Sequence, residues 1–452
     1  MTPPPPVLPG LQTGNRGMRR RAPVSDRSEE VFVAEFVLPH EEDGMFTGID
    51  WAADEHAVCI IDDDGRVVDR FTIAHTADGF ERLIRRLARH GHPADLPIAI
   101  ERPDGRLVDR LLDAGHPVVP VKTTAIKAWR EAEVGSGAKS DPGDARVIAD
   151  YLRLRRHDLR VLRPFSDETR ALRAVVRARG DLIDARVAAA NQLAATLAAF
   201  WPGAGALFAD IWSEIALAFL ERYPTPAAAA HLGEGRMAGF LGKHGYSGRR
   251  SPAELLERLR SAPAGLADGP ESEARRDAVL AMVRVVRALN RSIKDLDRSV
   301  VAHLDEHPDA VVFRSLPRAG QVNAAQMLAE WGDCREAYDG PEAVAALSGM
   351  APVTRRSGKH LAVGFRWACN TRFRNALATF ADNSRHASPW AASIYQAAID
   401  RGADHPHAVR ILARAWIRVI YRCWLNGVAY DPARHGAARR ITDANSVVVV
   451  AA

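Results

Sequence analysis

The spacing of apolar residues divides the chain into a strand-rich first third and a helical remainder. Short apolar runs typical of strands occur at 46–52, 56–62 and 66–74, and the sequence DDDG at 62–65 predicts a tight turn between the last two. The pattern then alternates between helices and strands, which predicts an α/β sheet. The predicted order is a helix at 78–91, a strand at 97–101, a helix at 105–115, a strand at 117–121 and a helix that carries Asp144.

Three hairpin-connected strands followed by alternating helices and strands is the order of the ribonuclease H-like fold, here expected over residues 45–165. Two long helices follow at 166–201 and 273–304, within a linker at 166–305. Their apolar positions recur at alternating steps of three and four, which predicts a coiled-coil seam that pairs antiparallel or across protomers. We expect residues 202–272, which lie between the two helices, to form an insertion at the tip of the helix pair. The seam residues are Leu172, Val176, Arg179, Ile183, Arg186, Ala190, Leu193, Leu197 and Phe200, and Val279, Met282, Val286, Leu289, Ile293, Leu296 and Val300.

The two ends and the last domain complete the prediction. Residues 306–436 predict a mostly helical domain, and 437–452 predict a tail. Residues 1–44 are rich in proline and charge, which leaves little to bury and predicts a disordered extension. The expected fold class is therefore α/β plus all-α.

Composition narrows the class of protein. A chain of 452 residues with 47% hydrophobic and 26% charged residues is typical of a soluble protein with more than one domain. The pI of about 9.1 weakly favours a phosphate-rich partner. No apolar run reaches the ~18 residues of a membrane span, so no membrane is expected as a partner. The four cysteines form no CxxC pair, which argues against a disulfide framework or a zinc site and favours a reducing cytoplasm.

Four acidic residues are candidate metal ligands: Asp50 at the end of the first strand, Glu101 at the end of the fourth, and Asp141 and Asp144 at the start of a helix. Strand ends on one side of an α/β sheet converge on one crevice. Four carboxylates there would repel one another unless cations lay among them, and ligation by oxygen alone favours Mg²⁺ or Mn²⁺. Two such ions ~4 Å apart can hold both the attacking and the leaving oxygen of a phosphoryl transfer.

Each of these acids also has a structural interpretation. Asp141 before a proline is a good N-cap, and Asp144 would then be a favourable acid in the first turn. Asp50 can form a strand-end turn, and Glu101 can pair with Arg102 on the surface. The four together, in this order of strands and helix, favour the metal site.

A basic segment lies in the second half. Residues 351–381 contain no Asp or Glu and interleave aromatic residues (Phe365, Trp367 and Phe373) with six cations. Such a patch neutralises phosphates, so we expect it to bind nucleic acid. The cations are Arg355, Arg356, Lys359, Arg366, Arg372 and Arg374.

Ser357 lies inside this segment, between Arg356 and Gly358. A serine among cations can attack a phosphodiester, because the cations stabilise the developing negative charge. A serine in a basic loop is otherwise a phosphate contact or a turn residue.

These motifs resemble those of bacterial insertion-sequence transposases of the "IS-one-ten" type, which are related to pilin-gene invertases. GIDWA, IAIE and KSDPGDARVIADYLR resemble the DEDD motif of their RuvC-like domain, over residues 46–165. SLPRAGQVNAAQMLAEWGD, ALSGMAPVTRRSGKH and TRFRNALATFADNSR resemble their C-terminal transposase domain, over residues 307–432. One departure is Arg318 in the segment PRAG, where the family commonly has PGIG.

The resemblance implies a function for each part. Ser357 would be the recombination nucleophile, forming a covalent phosphoserine, and the four acids would bind Mg²⁺ at a composite site contributed by a different protomer. Family members form dimers that pair into tetramers, and many use a structured guide RNA that pairs with donor and target DNA. The expected location is the bacterial cytoplasm, at the nucleoid.

Three functions remain open on the sequence. The first is a DNA recombinase that uses both halves. The second is a metal-dependent, RuvC-like, structure-selective nuclease whose C-terminal domain only binds DNA, and the third is a nucleic-acid-binding protein without catalysis. A tyrosine nucleophile (Tyr338, Tyr395 or Tyr430) is an alternative to Ser357, although none of these lies in an equally basic loop.

Overall fold

The computed structural model describes residues 33–34, 44–133, 141–266, 268–358 and 360–436. Most of the predicted extension at 1–44 and the whole predicted tail at 437–452 therefore lie outside the described residues. One short segment of the extension is a local exception to the predicted disorder. Strand β1 (Val33–Ala34) pairs antiparallel with β7 (Val161–Leu162), at the end of the first domain.

A five-stranded sheet forms the first domain, in the order β4-β3-β2-β5-β6. The first three strands form an antiparallel meander, whereas β2, β5 and β6 are parallel. In the DDDG turn between β3 and β4, the amide of Gly65 donates to the carbonyl of Asp62 at 3.0 Å. The α/β prediction is confirmed, and this strand order is the one expected of a ribonuclease H-like sheet. The strands are β2 (Phe46–Asp50), β3 (Glu55–Ile61), β4 (Val67–Ala74), β5 (Ile98–Ile100) and β6 (Val118–Pro120).

Helices cover both faces of the sheet: α1 (Ala77–Leu87) and α2 (Arg106–Asp113) on one, α3 (Thr123–Glu133) and α4 (Asp141–Arg155) on the other. Alternation along each strand sends successive side chains to opposite faces. Ile49 and Ile100 thus lie in the core with α1 and α2, whereas Ala99 lies in the core with α4. Helix α1 begins where the Thr76 hydroxyl accepts a hydrogen bond from the Gly79 amide at 3.1 Å.

Two long helices, α5 (Asp167–Phe200) and α10 (Pro270–Glu306), connect the two halves of the chain. They pack antiparallel within one chain, since Arg179 of α5 pairs with Asp297 of α10, and Thr196 lies near Met282. The helices predicted from the seam are confirmed. Their middle is polar, because Arg186 there donates to Asn290 at 3.3 Å.

Four short helices occupy the insertion and form a core with the far ends of α5 and α10. Leu193 and Leu197 of α5 and Val279 and Val283 of α10 belong to this core, so the four short helices lie at the tip of the helix pair. The four are α6 (Pro202–Gly205), α7 (Glu214–Arg222), α8 (Glu234–Lys243) and α9 (Pro252–Arg260).

The last domain is mostly helical, as predicted, with one β-hairpin. Its core contains the fully buried rings of Trp331, Trp416 and Trp424 and also takes in residues from the near ends of α5 and α10. No helix in the described part of the chain is long and apolar enough to cross a membrane. The elements are α11 (Ala310–Arg314), α12 (Gln321–Trp331), α13 (Pro341–Leu347), β8 (Val353–Ser357), β9 (His360–Gly364), α14 (Thr371–Ser384), α15 (Pro389–Asp400) and α16 (His405–Leu425).

Candidate active site

Asp50 and Glu101 lie side by side at one edge of the sheet. Strands β2 and β5 are parallel and pair Ile49 with Ile100, so the next residue of each strand is one of these acids. Gly48 faces α4, since a Cβ built on it would lie 2.1 Å from the carbonyl oxygen of Ala145. Because side chains alternate, Asp50 shares this face, and Glu101 shares it by the same argument from Ala99. Both predicted ligands therefore lie at the α4 face of the sheet, half-buried.

Asp144 lies in the first turn of α4 and is 6% exposed. Its Oδ1 pairs with Nη2 of Arg130, on α3, at 2.9 Å. The Nε atom of Arg130 is also buried, and it has no hydrogen-bond partner among the described residues. Asp141 is the first residue of α4, but its side chain lies outside the described residues. Helix α4 thus brings Asp144 to the sheet, and α3 supplies it with a cation.

The donor set fits a hard divalent cation in its chemistry, because Asp50, Glu101 and Asp144 offer only carboxylate oxygens. In the part of the chain that is described, however, no three His, Cys, Asp or Glu side chains are grouped as a metal site. Asp144 has a positive partner from the protein itself, the guanidinium of Arg130. Arg102 does not form the alternative surface ion pair with Glu101. That guanidinium donates to Asp104 at 3.0 Å and lies over the ring of Trp51.

Ser357 ends the first strand of the β8–β9 hairpin, where the sequence predicts a basic loop. Gly358 follows at φ +56°, a left-handed conformation that suits glycine in a tight hairpin turn. Ser357 is exposed. The register pairs Arg355 with Ala362 and Arg356 with Leu361, so alternation places Arg355 on the same face as Ser357 and Arg356 on the other.

The cations of the basic segment fall into two groups. Arg355 and Arg356 are exposed and form no ion pair with any described residue. Arg366 and Arg374 are engaged internally: Arg366 donates to the carbonyl of Ala351 at 3.3 Å, and Arg374 donates to the carbonyl of Arg366.

Arg372 pairs with Asp181 of α5 at 2.8 Å, and Lys359 lies outside the described residues. Phe373, expected in the basic patch, is fully buried in the core, since it lies on the inner face of α14. The exposed part of the patch is therefore smaller than the sequence suggests.

The three alternative tyrosines differ from Ser357 in their surroundings. Tyr338 is buried and donates its hydroxyl to the carbonyl of Trp331 at 2.7 Å, and burial raises its pKa well above the usual value. Burial also raises the pKa of Tyr430 to about 12. Tyr395 lies within hydrogen-bond distance of His405.

Glu330 on α12 was missed in the sequence and is a buried carboxylate at the junction of the linker and the last domain. Arg177 of α5 donates to both its oxygens at 3.0 Å, and Asn370 donates to one at 2.8 Å. Burial would raise the pKa of Glu330, but the hydrogen bonds and charges of Arg177 and Arg173 hold that pKa below its usual value. Asn370 also caps α14 by accepting from the amide of Phe373 at 3.0 Å. The only sequence signal was an acid within an apolar helix.

The mixed five-stranded sheet of the first half is consistent with a ribonuclease H-like domain. Two family models match the chain. A DEDD-type transposase model covers residues 47–202, and a model of the transposase IS116/IS110/IS902 family covers residues 310–396.

Individual relatives agree with these matches. A mini-circle putative transposase for IS117 from Streptomyces coelicolor is 32% identical over 86% of this chain and 96% of its own length. An insertion element IS900 uncharacterized 42 kDa protein from Mycobacterium paratuberculosis is 27% identical over 87% of this chain and 99% of its own length. The chain therefore belongs to the IS110/IS116 family of insertion-sequence transposases.

Proposed function

We propose that this transposase cuts and rejoins DNA with Ser357 as its nucleophile and the acidic edge of the sheet as its metal site. The observation that carries the proposal is the β8–β9 hairpin: an exposed serine beside Arg355, on the same face, with that guanidinium unpaired among the described residues. A protruding hairpin can approach a phosphodiester that a buried residue cannot reach.

The proposed reaction is a transesterification. The Ser357 oxygen forms a bond to phosphorus as one backbone P–O bond breaks, and the leaving strand end takes a proton. A second strand end then attacks the phosphoserine and restores the diester, so no bond energy is lost to water. Arg355 favours loss of the serine proton and stabilises the extra charge on the phosphoryl oxygens.

Asp50, Glu101, Asp141 and Asp144 would hold Mg²⁺ or Mn²⁺, which when bound supplies Lewis-acid stabilisation of oxygens at phosphorus. The protein's own part is to bring these acids to one edge, through the parallel pairing of β2 with β5 and the packing of α4 on Gly48. For Asp144 to serve as a ligand, Arg130 must release it.

The partners follow from the same proposal. The substrates are donor and target DNA, selected by a structured guide RNA, with the acids and Ser357 of one site contributed by different protomers of a dimer that pairs into a tetramer. The place of action is the bacterial cytoplasm, at the nucleoid. The RNA that copurifies with the full chain tests the guide, and a discrete species matching the flanking DNA is the expected result.

Strand joining and covalent trapping test the nucleophile. With labelled donor and target DNA, Ser357→Ala should abolish both joined product and the protein–DNA adduct seen on a denaturing gel. Thr354→Ala is the matched control, because it removes a hydroxyl from the opposite face of the same hairpin and should leave joining unchanged. Normal joining by Ser357→Ala would refute the assignment.

The alternative function, a structure-selective nuclease, predicts a different pattern. Ser357→Ala would then keep metal-dependent cleavage, and only Asp50→Asn or Asp144→Asn would abolish it. Membership of a transposase family favours the recombinase over the nuclease.

A further inference from the structure

Trp367 presents its indole to solvent directly after the hairpin. It is 78% exposed, more than any other large hydrophobic residue among those described. Tryptophan is among the residues most often largely buried, so an open indole on a folded surface is unusual. Leu361 and Val363, on the strand before it, are 65% and 64% exposed.

The position of this indole is fixed by an aromatic neighbour. Phe365 meets Trp367 nearly at right angles, at 76°, with their ring centroids 4.8 Å apart. Phe365 is in turn contacted by two guanidinium groups, those of Arg374 at 4.4 Å and Arg410 at 5.0 Å from its centroid. Such contacts are attractive because the ring face is electron-rich. Arg374 is tied to the backbone of residue 366, so Trp367 is held in place while most of its surface stays open.

The charge around Trp367 selects the kind of ligand. No acidic residue occurs between 351 and 381, and Arg355 and Arg356 are exposed without an ion pair among the described residues. A flat apolar surface framed by positive charge suits a molecule that is both planar and anionic, which is a nucleotide of a single strand. A second copy of the chain would instead bring this same positive charge against itself.

We propose that Trp367 is a stacking site for an unpaired nucleobase, and that the protein holds its DNA or RNA locally opened there. This inference rests on the proposed function. Ser357 lies at the turn of the hairpin, whereas Trp367 lies three residues beyond the end of β9. At ~3.3 Å per residue, β9 spans ~13 Å from His360, which pairs with Ser357, to Gly364, and the next three residues add at most ~10 Å, so the two lie roughly 13–23 Å apart along the hairpin. That corresponds to about four to seven stacked nucleotides at ~3.4 Å each.

The stacked base is therefore not the one at the cut but one several nucleotides away. A base held at that distance keeps a strand from re-pairing while its end is exchanged. Trp367 would thus govern the lifetime of the opened state rather than the chemical step.

A pair of substitutions separates stacking from general apolar contact. Trp367→Phe keeps an aromatic face, whereas Trp367→Leu keeps an apolar side chain that cannot stack. Equilibrium binding of the full-length protein is measured on a DNA duplex with one unpaired thymine and on the fully paired duplex of the same sequence. Trp367→Leu should weaken binding to the first by about 5- to 150-fold, the range of one base stack. Trp367→Phe should stay within a few-fold, and neither should change binding to the paired duplex.

Cross-linking locates the contact. With 5-iodouracil at the unpaired position, irradiation should link the DNA to the peptide that contains Trp367, and Leu361→Ala should leave the yield unchanged. An unchanged affinity of Trp367→Leu for the duplex with the unpaired thymine, an equal loss of affinity for both duplexes, or a cross-link elsewhere would overturn the proposal. So would a loss of oligomer mass in Trp367→Leu with unaltered DNA binding, which would assign the surface to a second copy. Binding needs no catalysis, so this test stands apart from that of Ser357→Ala.

Discussion

Gly48 on β2 and Ala145 on α4 are in backbone contact: a methyl group at residue 48 would lie 2.1 Å from the Ala145 carbonyl oxygen and 2.4 Å from the amide nitrogen of Ala149. Helix and sheet approach this closely only because residue 48 has no side chain. The contact sets the depth at which Asp144, one residue before Ala145, meets the strand end that carries Asp50.

Substitution of Gly48 tests this relationship. Gly48→Ala should lower the free energy of unfolding by about 3 kcal/mol, the upper part of the range for overpacking, because the clash is with backbone that cannot rotate away. Strand joining should fall with it. Gly180→Ala is the control: nothing lies within 4 Å of that position in α5, so alanine there should stabilise by about 0.5–1 kcal/mol. Equal tolerance of both substitutions in thermal unfolding would contradict the packing.

Arg130 should govern how the protein responds to metal. Arg130→Gln leaves the buried carboxylate of Asp144 without its cation, which should lower the melting temperature in metal-free buffer. Mg²⁺ or Mn²⁺ should then raise that temperature more in the variant than in the unsubstituted protein, because no guanidinium competes for the carboxylate. Arg102→Gln, which removes an exposed pair with Asp104, serves as the control. An identical metal response in all three proteins would separate Asp144 from metal binding.

Substitution of Glu330 should destabilise the protein far more than substitution of a surface acid. Glu330→Gln removes the charge opposite Arg177 in a buried contact, so we expect a loss of about 3 kcal/mol in unfolding free energy. Glu342→Gln breaks exposed pairs with Arg414 and Arg418 and should cost less than about 1 kcal/mol. Urea unfolding of the two variants gives the comparison, and equal costs would show that Glu330 does not tie the linker to the last domain.

Arg318 occupies a backbone conformation that disfavours side chains. Its φ of +58° makes it the one non-glycine residue with positive φ in the described ranges. The left-handed conformation costs roughly 1–2 kcal/mol for such a residue. Arg318→Gly should therefore stabilise the protein by about 1 kcal/mol, measured by chemical unfolding. A destabilised variant would mean that the exposed guanidinium contributes more than the strain removes.

His56 should make the sheet domain sensitive to acid. Burial, and then the neighbouring His75, lower the pKa of His56 from 6.5 to about 4. The unfolded chain takes up a proton below pH 6.5 that the folded chain refuses until about pH 4, so stability falls as pH drops through this window. Between pH 7 and pH 5 the loss should be about 2 kcal/mol. His56→Phe should remove that part of the pH dependence of stability. Hydrogen exchange of the β2 and β3 amides as a function of pH measures it, and an unchanged pH dependence in the variant would contradict the role of His56.

The strands and helices of the first domain could be predicted because period-two and helical patterns are properties of local sequence. The acidic edge could be predicted as well, since Asp50 and Glu101 each end a strand. The ion pair of Asp144 with Arg130 could not, because it depends on how α3 and α4 face each other. The β8–β9 hairpin was missed because its strands consist largely of arginines and small residues. They have no buried face, so they lack the alternation of apolar and polar residues that predicts a strand. Similarly, only the rotation of α14 decides that Phe373 is core while Arg372 is exposed.

The antiparallel packing of α5 on α10 bears on how the chain folds. Arg177 and Glu330 are 153 residues apart in sequence, and closing so long a loop by diffusion is entropically unfavourable. Each helix is roughly 50 Å long at ~1.5 Å per residue. If the tip helices fold first, the two long helices can pair progressively from that end. Most of these pairing steps then join residues that are already close together. The paired helices α5 and α10 would then bring the last domain to α5 in the correct orientation, so the tip would act as the folding nucleus for the contact between Arg177 and Glu330 at the opposite end.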